Sequence, residues 1–289
     1  MNSTSVELLV KGPRRPSGRV VGRRGRRVGR HEGRPERSSQ VSGRPRWADG
    51  RREREDPMGR ERHGPPPGEV HVRVVREPSD ADELQRCVAL LTDGERERRR
   101  HLVPSQRALY AAAHAALRTT TAAFSGRPVG QVAFRRGASG KPYVAGDPGL
   151  RVSLSHTDGL ALIAVSRDGP VGVDVERLVR PVDPRGLRRQ VLSDQEAALW
   201  PAERDGPLCE GLLTHWTCKE AVLKALGTGL AGDPTAVRVT PGARRSGPVR
   251  LHHAPGPPRR WRLHLLDVGP GYRAAVAVAG GGDVVRLLP

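Results

Sequence analysis

Three carboxylates and three of the chain's four lysines fall in short segments whose spacing could do phosphate chemistry. In the run VGVDVE, Val171 to Glu176, a strand would turn Val171, Val173 and Val175 to a core. Gly172, Asp174 and Glu176 would then face the other way, with the two carboxylates roughly 6–7 Å apart. They repel unless a cation lies between or beyond them. In HWTCKEAVLKALGTGL, residues 215 to 230, helical spacing aligns Trp216, Glu220 and Lys224, with Lys219 and Leu223 beside them. SLSHTDG places Ser155 and His156 at a strand end, and SGKPY places Lys141 and Pro142 in a Gly-Pro loop. Neighbouring strand residues point to opposite faces, so His156 is not placed to activate Ser155. Taken singly, each feature has a plain reading. Glu220 and Lys224 make a surface pair worth about 0.3–0.5 kcal/mol, Asp174 and Glu176 a solvated strand face, and Lys141 an exposed loop residue. Joined, they share one chemistry. Mg²⁺ takes hard oxygen ligands and leaves places for substrate phosphates; lysine and histidine offset the remaining phosphate charge. The set fits a metal-assisted reaction on a diphosphate.

Elements to position these residues can be read from the pattern. EVHVRVV from Glu69 alternates, with Val70, Val72 and Val74 on one face of a half-buried strand. A helix follows from about Asp80, carrying Leu84, Cys87, Val88 and Leu91. The capping box at Thr92 to Glu95 opens another. After Pro104 a strong helix has the apolar stripe Leu109, Ala112, Ala113, Ala116 and Leu117. LRVSLSH, LALIAVS and VGVDVE then read as a meander of antiparallel strands, turning at Asp158-Gly159 and Asp168-Gly169. A capping box at Ser193 to Glu196 opens a helix through Trp200. The Glu220 helix runs from about Leu208 to Leu226 and stops at Gly227. Strand-like runs finish the chain. The fold class expected is α+β, with two comparable halves meeting near residues 167–171.

The 289 residues suffice for one large domain or two small ones. Of 50 basic side chains only Lys11, Lys141, Lys219 and Lys224 are lysine, so each lysine carries extra weight. The net charge of +19 points to acidic partners. Residues 1–63 alone hold 18 basic and 8 acidic side chains. Residues 1–68 are expected to be a disordered Arg/Gly/Pro-rich extension, since they lack the apolar surface to offset ordering entropy. Met58 is an alternative start, which leaves open whether residues 1–63 are present in the mature protein. The arm supports a second function, nucleic-acid binding, but only Trp47 interleaves its arginines, so stacking has little to work with. Cys87, Cys209 and Cys218 show no metal-ligand spacing, and no apolar run reaches the ~20 residues of a membrane span. A cytoplasmic location is expected.

VGVDVE, a gap of about forty residues, then WTCKEAVLKALGTGL resembles the signature of the long, Sfp-type 4′-phosphopantetheinyl transferases, with GKP and SLSH in matching order. The resemblance covers about residues 85–240. It implies a pseudo-symmetric pair of α/β halves, here 69–167 and 168–289, with the active site between them. It implies transfer of the 4′-phosphopantetheine arm of coenzyme A to a serine of an apo acyl or peptidyl carrier protein, releasing adenosine 3′,5′-bisphosphate. Asp174, Glu176 and Glu220 match the Mg²⁺-binding carboxylates. Lys224 matches a lysine on the CoA phosphates. Glu220, directly or through a metal-bound water, matches the base for the carrier serine. Arg98, Arg107, Lys141, Pro142, Ser155, His156 and Lys219 fall where the family contacts CoA. The sequence departs from the family before the long helix, reading RRRHLVPSQ where the family is Phe-rich. Cys218 falls at a variable position and is read as inert.

Carrier proteins are acidic around their target serine, by the same resemblance. The segment RLVRPVDPRGLRRQVL is therefore expected to dock the carrier through Arg180, Leu187, Arg188 and Arg189. Two halves in one chain form a site without a partner subunit, so a monomer is expected, with neither membrane nor nucleic acid as a partner.

Overall fold

Strand β1 (Glu69–Arg76) turns Val70, Val72 and Val74 into one core, as its alternation requires. Helix α1 (Ala81–Ala89) starts at Asp80, whose carboxylate accepts from Glu83 N. Helix α2 (Asp93–Arg100) starts at Thr92 with the reciprocal capping box closed by Glu95. Helix α3 (Pro104–Ser125) begins on proline and ends at Gly126 in the left-handed region. The computed structural model describes residues 65–178, 184–200, 210–228, 231–242, 244–257, 259–280 and 284–288. The extension up to residue 64, and Arg180, lie outside the described residues.

The chain continues through the hairpin β2 (Phe134–Arg136) and β3 (Pro142–Val144), then β4 (Arg151–Thr157), β5 (Leu160–Ser166) and β6 (Val171–Arg177). Helices α4 (Pro184–Val191), α5 (Asp194–Ala198) and α6 (Glu210–Leu226) follow. Strands β7 (Arg238–Thr240), β8 (Gly247–Pro248), β9 (Arg250–His253), β10 (Trp261–Leu266), β11 (Tyr272–Ala279) and β12 (Val284–Leu288) complete it.

Among the described residues two four-stranded sheets form, in the orders β12-β1-β5-β4 and β6-β11-β10-β8. The helix α3 covers one face of the first, packing Leu109, Ala113 and Leu117 on Ala161, Ile163 and Val165. The helix α6 covers one face of the second, packing Ala221, Val222 and Ala225 on Leu263, Ala275 and Ala277. The remaining faces pack on each other through Val70, Leu160 and Leu162 against Val171, Val173, Val175 and Val276. The layers therefore run helix, sheet, sheet, helix. Both faces of β5 are buried, which is why it reads as a continuous apolar run. Strand β12 returns from the end of the chain to pair in parallel with β1.

The meander expected from β4, β5 and β6 is corrected. Strands β4 and β5 form the hairpin, with Gly159 at φ 78°. Strand β6 instead joins β11, antiparallel. The cause lies at Asp168-Gly169-Pro170. A Cβ on Gly169 would stand 1.8 Å from Ala279 O, and Ala279 N donates to Pro170 O at 2.9 Å. Asp168 Oδ2 accepts from Gly68 N at 2.8 Å. These contacts carry the chain across to the second sheet. Where the sheets meet, Val173 N donates to Ser153 Oγ at 3.1 Å, so a side chain bridges β4 and β6.

Candidate active site

Gly172 decides how closely α6 approaches β6. A Cβ there would lie 2.0 Å from Ala221 O and 2.4 Å from Ala225 N. Without that carbon, the helix backbone rests on the strand. Glu220 and Lys224, flanking this crossing at i and i+4, are then carried to the face where Asp174 and Glu176 point.

Lys224 Nζ donates to Asp174 Oδ1 at 2.6 Å and to Ser155 Oγ at 2.7 Å. Ser155 Oγ donates to Asp174 Oδ1 at 3.0 Å. Trp216 Nε1 donates to Glu176 Oε1 at 3.1 Å. Asp174 and Glu220 are each 1 % exposed and Glu176 is 4 % exposed. Burial, then the Asp174 charge, pushes the Glu176 and Glu220 carboxyls up to about 8. Burial pulls on the Lys224 ammonium, but Asp174 and Glu220 outweigh it and raise its pKa. Lys224 thus acts on all three carboxyls.

Two buried oxygens of this cluster, Asp174 Oδ2 and Glu220 Oε2, have no hydrogen-bond partner. A divalent cation with oxygen ligands suits such atoms. As placed, no three His, Cys, Asp or Glu residues among the described residues stand close enough to hold an ion. Lys224 sits on Asp174 Oδ1, and Trp216 Nε1 donates to Glu176 Oε1. The donor set fits a hard cation that would share Asp174 with Lys224.

His156 points away from Ser155, to the α3 side, as the alternation of β4 requires. It lines a cavity of about 810 Å³ together with Arg98, Tyr110, His114, Arg118, Arg136 and Pro142. It also lines a neighbouring cavity of about 660 Å³ with Tyr110, Thr157 and Arg177. Burial first, then the Lys224 and His114 charges, pushes its pKa down to about 4, so it is neutral at pH 7.

Not all the expected residues meet here. Arg107 donates to Leu102 O and Arg100 O, each at 2.9 Å, and ties down the turn between α2 and α3. Lys219 is fully buried, with its ammonium on Val191 O at 2.6 Å and on Glu196 Oε2. Lys141 places its ammonium on backbone carbonyls. Leu187 is 2 % exposed, packed with Val191, Trp200, Leu212 and Trp216. It cannot be the apolar contact of a docking face, because α4 turns that side to α6. Arg189 is exposed, and Arg188 donates to Ala197 O at 3.1 Å. Cys218 is fully buried and its thiol pKa is raised by burial, so it is inert.

Sequence reasoning missed the polar lining of the larger cavity. Glu95, read as a capping residue, also accepts from Arg118 at 3.0 Å and pairs with His114 Nδ1 at 3.2 Å. The signal was His114 and Arg118 at i and i+4 inside an alanine-rich buried stripe. Among the described residues, no helix is long and apolar enough to cross a membrane.

A family model described as "4'-phosphopantetheinyl transferase superfamily" matches residues 170–277. The 4'-phosphopantetheinyl transferase HetI of Nostoc sp. (strain PCC 7120) is 32% identical over 219 residues, covering 74% of this chain and 89% of that protein. The 4'-phosphopantetheinyl transferase AcpT of Salmonella typhimurium is 36% identical over 92 residues, 32% of this chain and 47% of that one. The L-aminoadipate-semialdehyde dehydrogenase-phosphopantetheinyl transferase of Eremothecium gossypii is 36% identical over 107 residues, 35% of this chain and 39% of that one.

Proposed function

Since the chain belongs to the 4′-phosphopantetheinyl transferase superfamily, we propose that the Asp174–Glu220–Lys224 cluster is where it handles the diphosphate of coenzyme A. The protein is an enzyme that transfers phosphopantetheine to carrier proteins. The finer reading is that CoA gives its 4′-phosphopantetheine to a serine of an apo acyl or peptidyl carrier, leaving adenosine 3′,5′-bisphosphate.

The observation that carries the site is the pair of partnerless buried oxygens, Asp174 Oδ2 and Glu220 Oε2, beside the Lys224 ammonium. Asp174, Glu176 and Glu220 would hold Mg²⁺, which when bound polarises the diphosphate and offsets its charge. Lys224, 20 % exposed, moves from Asp174 and Ser155 to the phosphate oxygens. Glu220 takes the proton of the carrier serine as that oxygen attacks the β-phosphorus. Ser155 is hydrogen-bonded to Asp174 and Lys224 and orients both, so the chain needs no nucleophile of its own. The larger cavity, with Arg98, Arg136 and His156 in its wall, takes the nucleotide end of CoA.

The carrier docks over α4 through Arg189 and Arg188. The two helix-on-sheet layers are read as halves related by a pseudo-two-fold axis, in a cytoplasmic monomer. Charge reversal at Arg189 should raise the carrier KM and leave the CoA KM alone; an unchanged carrier KM refutes the docking surface. The site itself is tested by thermal unfolding with CoA and Mg²⁺. Together they should raise Tm, and Lys224→Met should shrink the rise. A full rise in that variant would remove Lys224 from the phosphate site.

A further inference from the structure

Lys141 stands in the segment expected to border the nucleotide, yet its ammonium is committed elsewhere. An ammonium has three protons to donate. Lys141 Nζ places them on Lys224 O at 2.6 Å, Ala225 O at 2.8 Å and Val171 O at 2.9 Å. Val171 begins β6, and Lys224 and Ala225 lie in the last turn of α6. Carbonyls of a last turn lack onward partners within the helix, and a cation there also meets the negative end of the helix dipole.

Lys141 does not act alone. Ser139 Oγ donates to Gly227 O, just past the helix. Gly227 is at φ 81°, and its Cα faces Tyr143 Oη and the Lys141 stem closely enough that an added Cβ would lie 3.4 and 3.5 Å from them. The Gly137–Lys141 turn is itself closed by Gly140 N to Gly137 O and Gly137 N to Lys141 O, each 2.9 Å. A turn from the first sheet's half thus caps the catalytic helix of the second. The residue whose carbonyl it grips, Lys224, is the one whose side chain reaches Asp174 and Ser155.

We propose that Lys141 is a positioning residue: with Ser139 it clamps the C-terminus of α6, and it influences the CoA diphosphate only through Lys224. This rests on Lys224 being the diphosphate ligand. Burial, then Arg151, pushes the Lys141 pKa down to about 8. Such burial suits a strut better than a lysine waiting for a phosphate.

Two cycles on the full chain test it. The first is ligand-free thermal unfolding of Ser139→Ala, Lys141→Met and the double variant. Lys141→Met should lower Tm by about 5 °C, and the double should lose less than the two singles together, since both hold one helix end. An unchanged Tm for Lys141→Met, or strictly additive losses, overturns the clamp. Should Lys141→Met not fold, a lowered Tm in Ser139→Ala supports the clamp and an unchanged one overturns it. The second is CoA affinity by calorimetry. Lys141→Met should weaken CoA about tenfold in the wild-type background, and should add nothing in a Lys224→Met background. Equal losses in both backgrounds mean a direct phosphate contact or a merely structural role, and either overturns the proposal. If the wild-type chain binds no CoA, the reading of Lys224 falls, while the thermal cycle still decides the clamp.

Discussion

Gly172 and Ala221 lie so close that a methyl carbon on Gly172 would stand 2.0 Å from the Ala221 carbonyl oxygen. This contact sets the height of α6 above β6, and with it the reach of Glu220 and Lys224 to Asp174. Gly172→Ala should therefore lower Tm by roughly 5–10 °C and cut turnover more than CoA binding, because the helix must shift outward. Thermal unfolding and steady-state kinetics check it. A wild-type Tm would mean that α6 does not rest on this glycine.

Glu220→Gln replaces a buried carboxyl whose Oε2 has no partner and whose charged form burial, then Asp174, disfavours. Turnover should fall at least roughly a hundredfold, while metal-free Tm at pH 7 should hold, since Gln keeps the uncharged form that burial favours. A clear fall in metal-free Tm would make Glu220 a structural residue.

The pH dependence of the metal-free protein follows from the same carboxyls. Glu176 and Glu220 are held near 8 in the folded state, against 4.5 ordinarily. The folded state therefore binds more protons between those values, so this contribution to stability is fully present below about pH 4.5. It is lost as pH rises through about 8. Mg²⁺ at these carboxyls would replace those protons. The rise in Tm on adding Mg²⁺ should thus be larger at pH 8 than at pH 6, read by paired thermal scans. A larger rise at pH 6 would contradict the cluster as the metal site.

Lys219 tests whether the structure or the sequence expectation has its role right. It is enclosed against Glu196, which also accepts from Val239 N at 2.9 Å and from Ser193 N at 2.8 Å. Lys219→Met leaves that carboxylate without its cation and should cost roughly 3–5 kcal/mol, with CoA affinity unchanged in the folded fraction. Calorimetry after denaturant titration separates the two. Weakened CoA binding at wild-type stability would return Lys219 to the ligand.

The cluster was legible because its parts sit in regular elements. The period of 2 put Asp174 and Glu176 on one side of Val173 and Val175, and the period of 3.6 put Trp216, Glu220 and Lys224 on one face. Those periods say where side chains point within an element. They do not say what a long side chain reaches in another. Lys141 and Lys219 each have a flexible stem, and whether it ends at a phosphate, a carbonyl or Glu196 is fixed by tertiary packing. The crossing of β6 into the second sheet was hidden for a like reason. Asp168-Gly169 reads as a hairpin, and only the closeness of Gly169 to Ala279 shows that the glycine serves a backbone contact. The hairpin of β2 and β3 was missed because three-residue strands carry no measurable period.

The central claim is that this chain moves phosphopantetheine from coenzyme A to a carrier serine. It is tested most directly by incubating the full chain with CoA, Mg²⁺ and apo carriers from fatty-acid, polyketide and peptide synthesis, and weighing each carrier by mass spectrometry. The account predicts a gain of one phosphopantetheine on at least one carrier, absent when Glu220→Gln is used or when Mg²⁺ is chelated. No gain on any carrier with the wild-type chain, or an undiminished gain with Glu220→Gln, would contradict it.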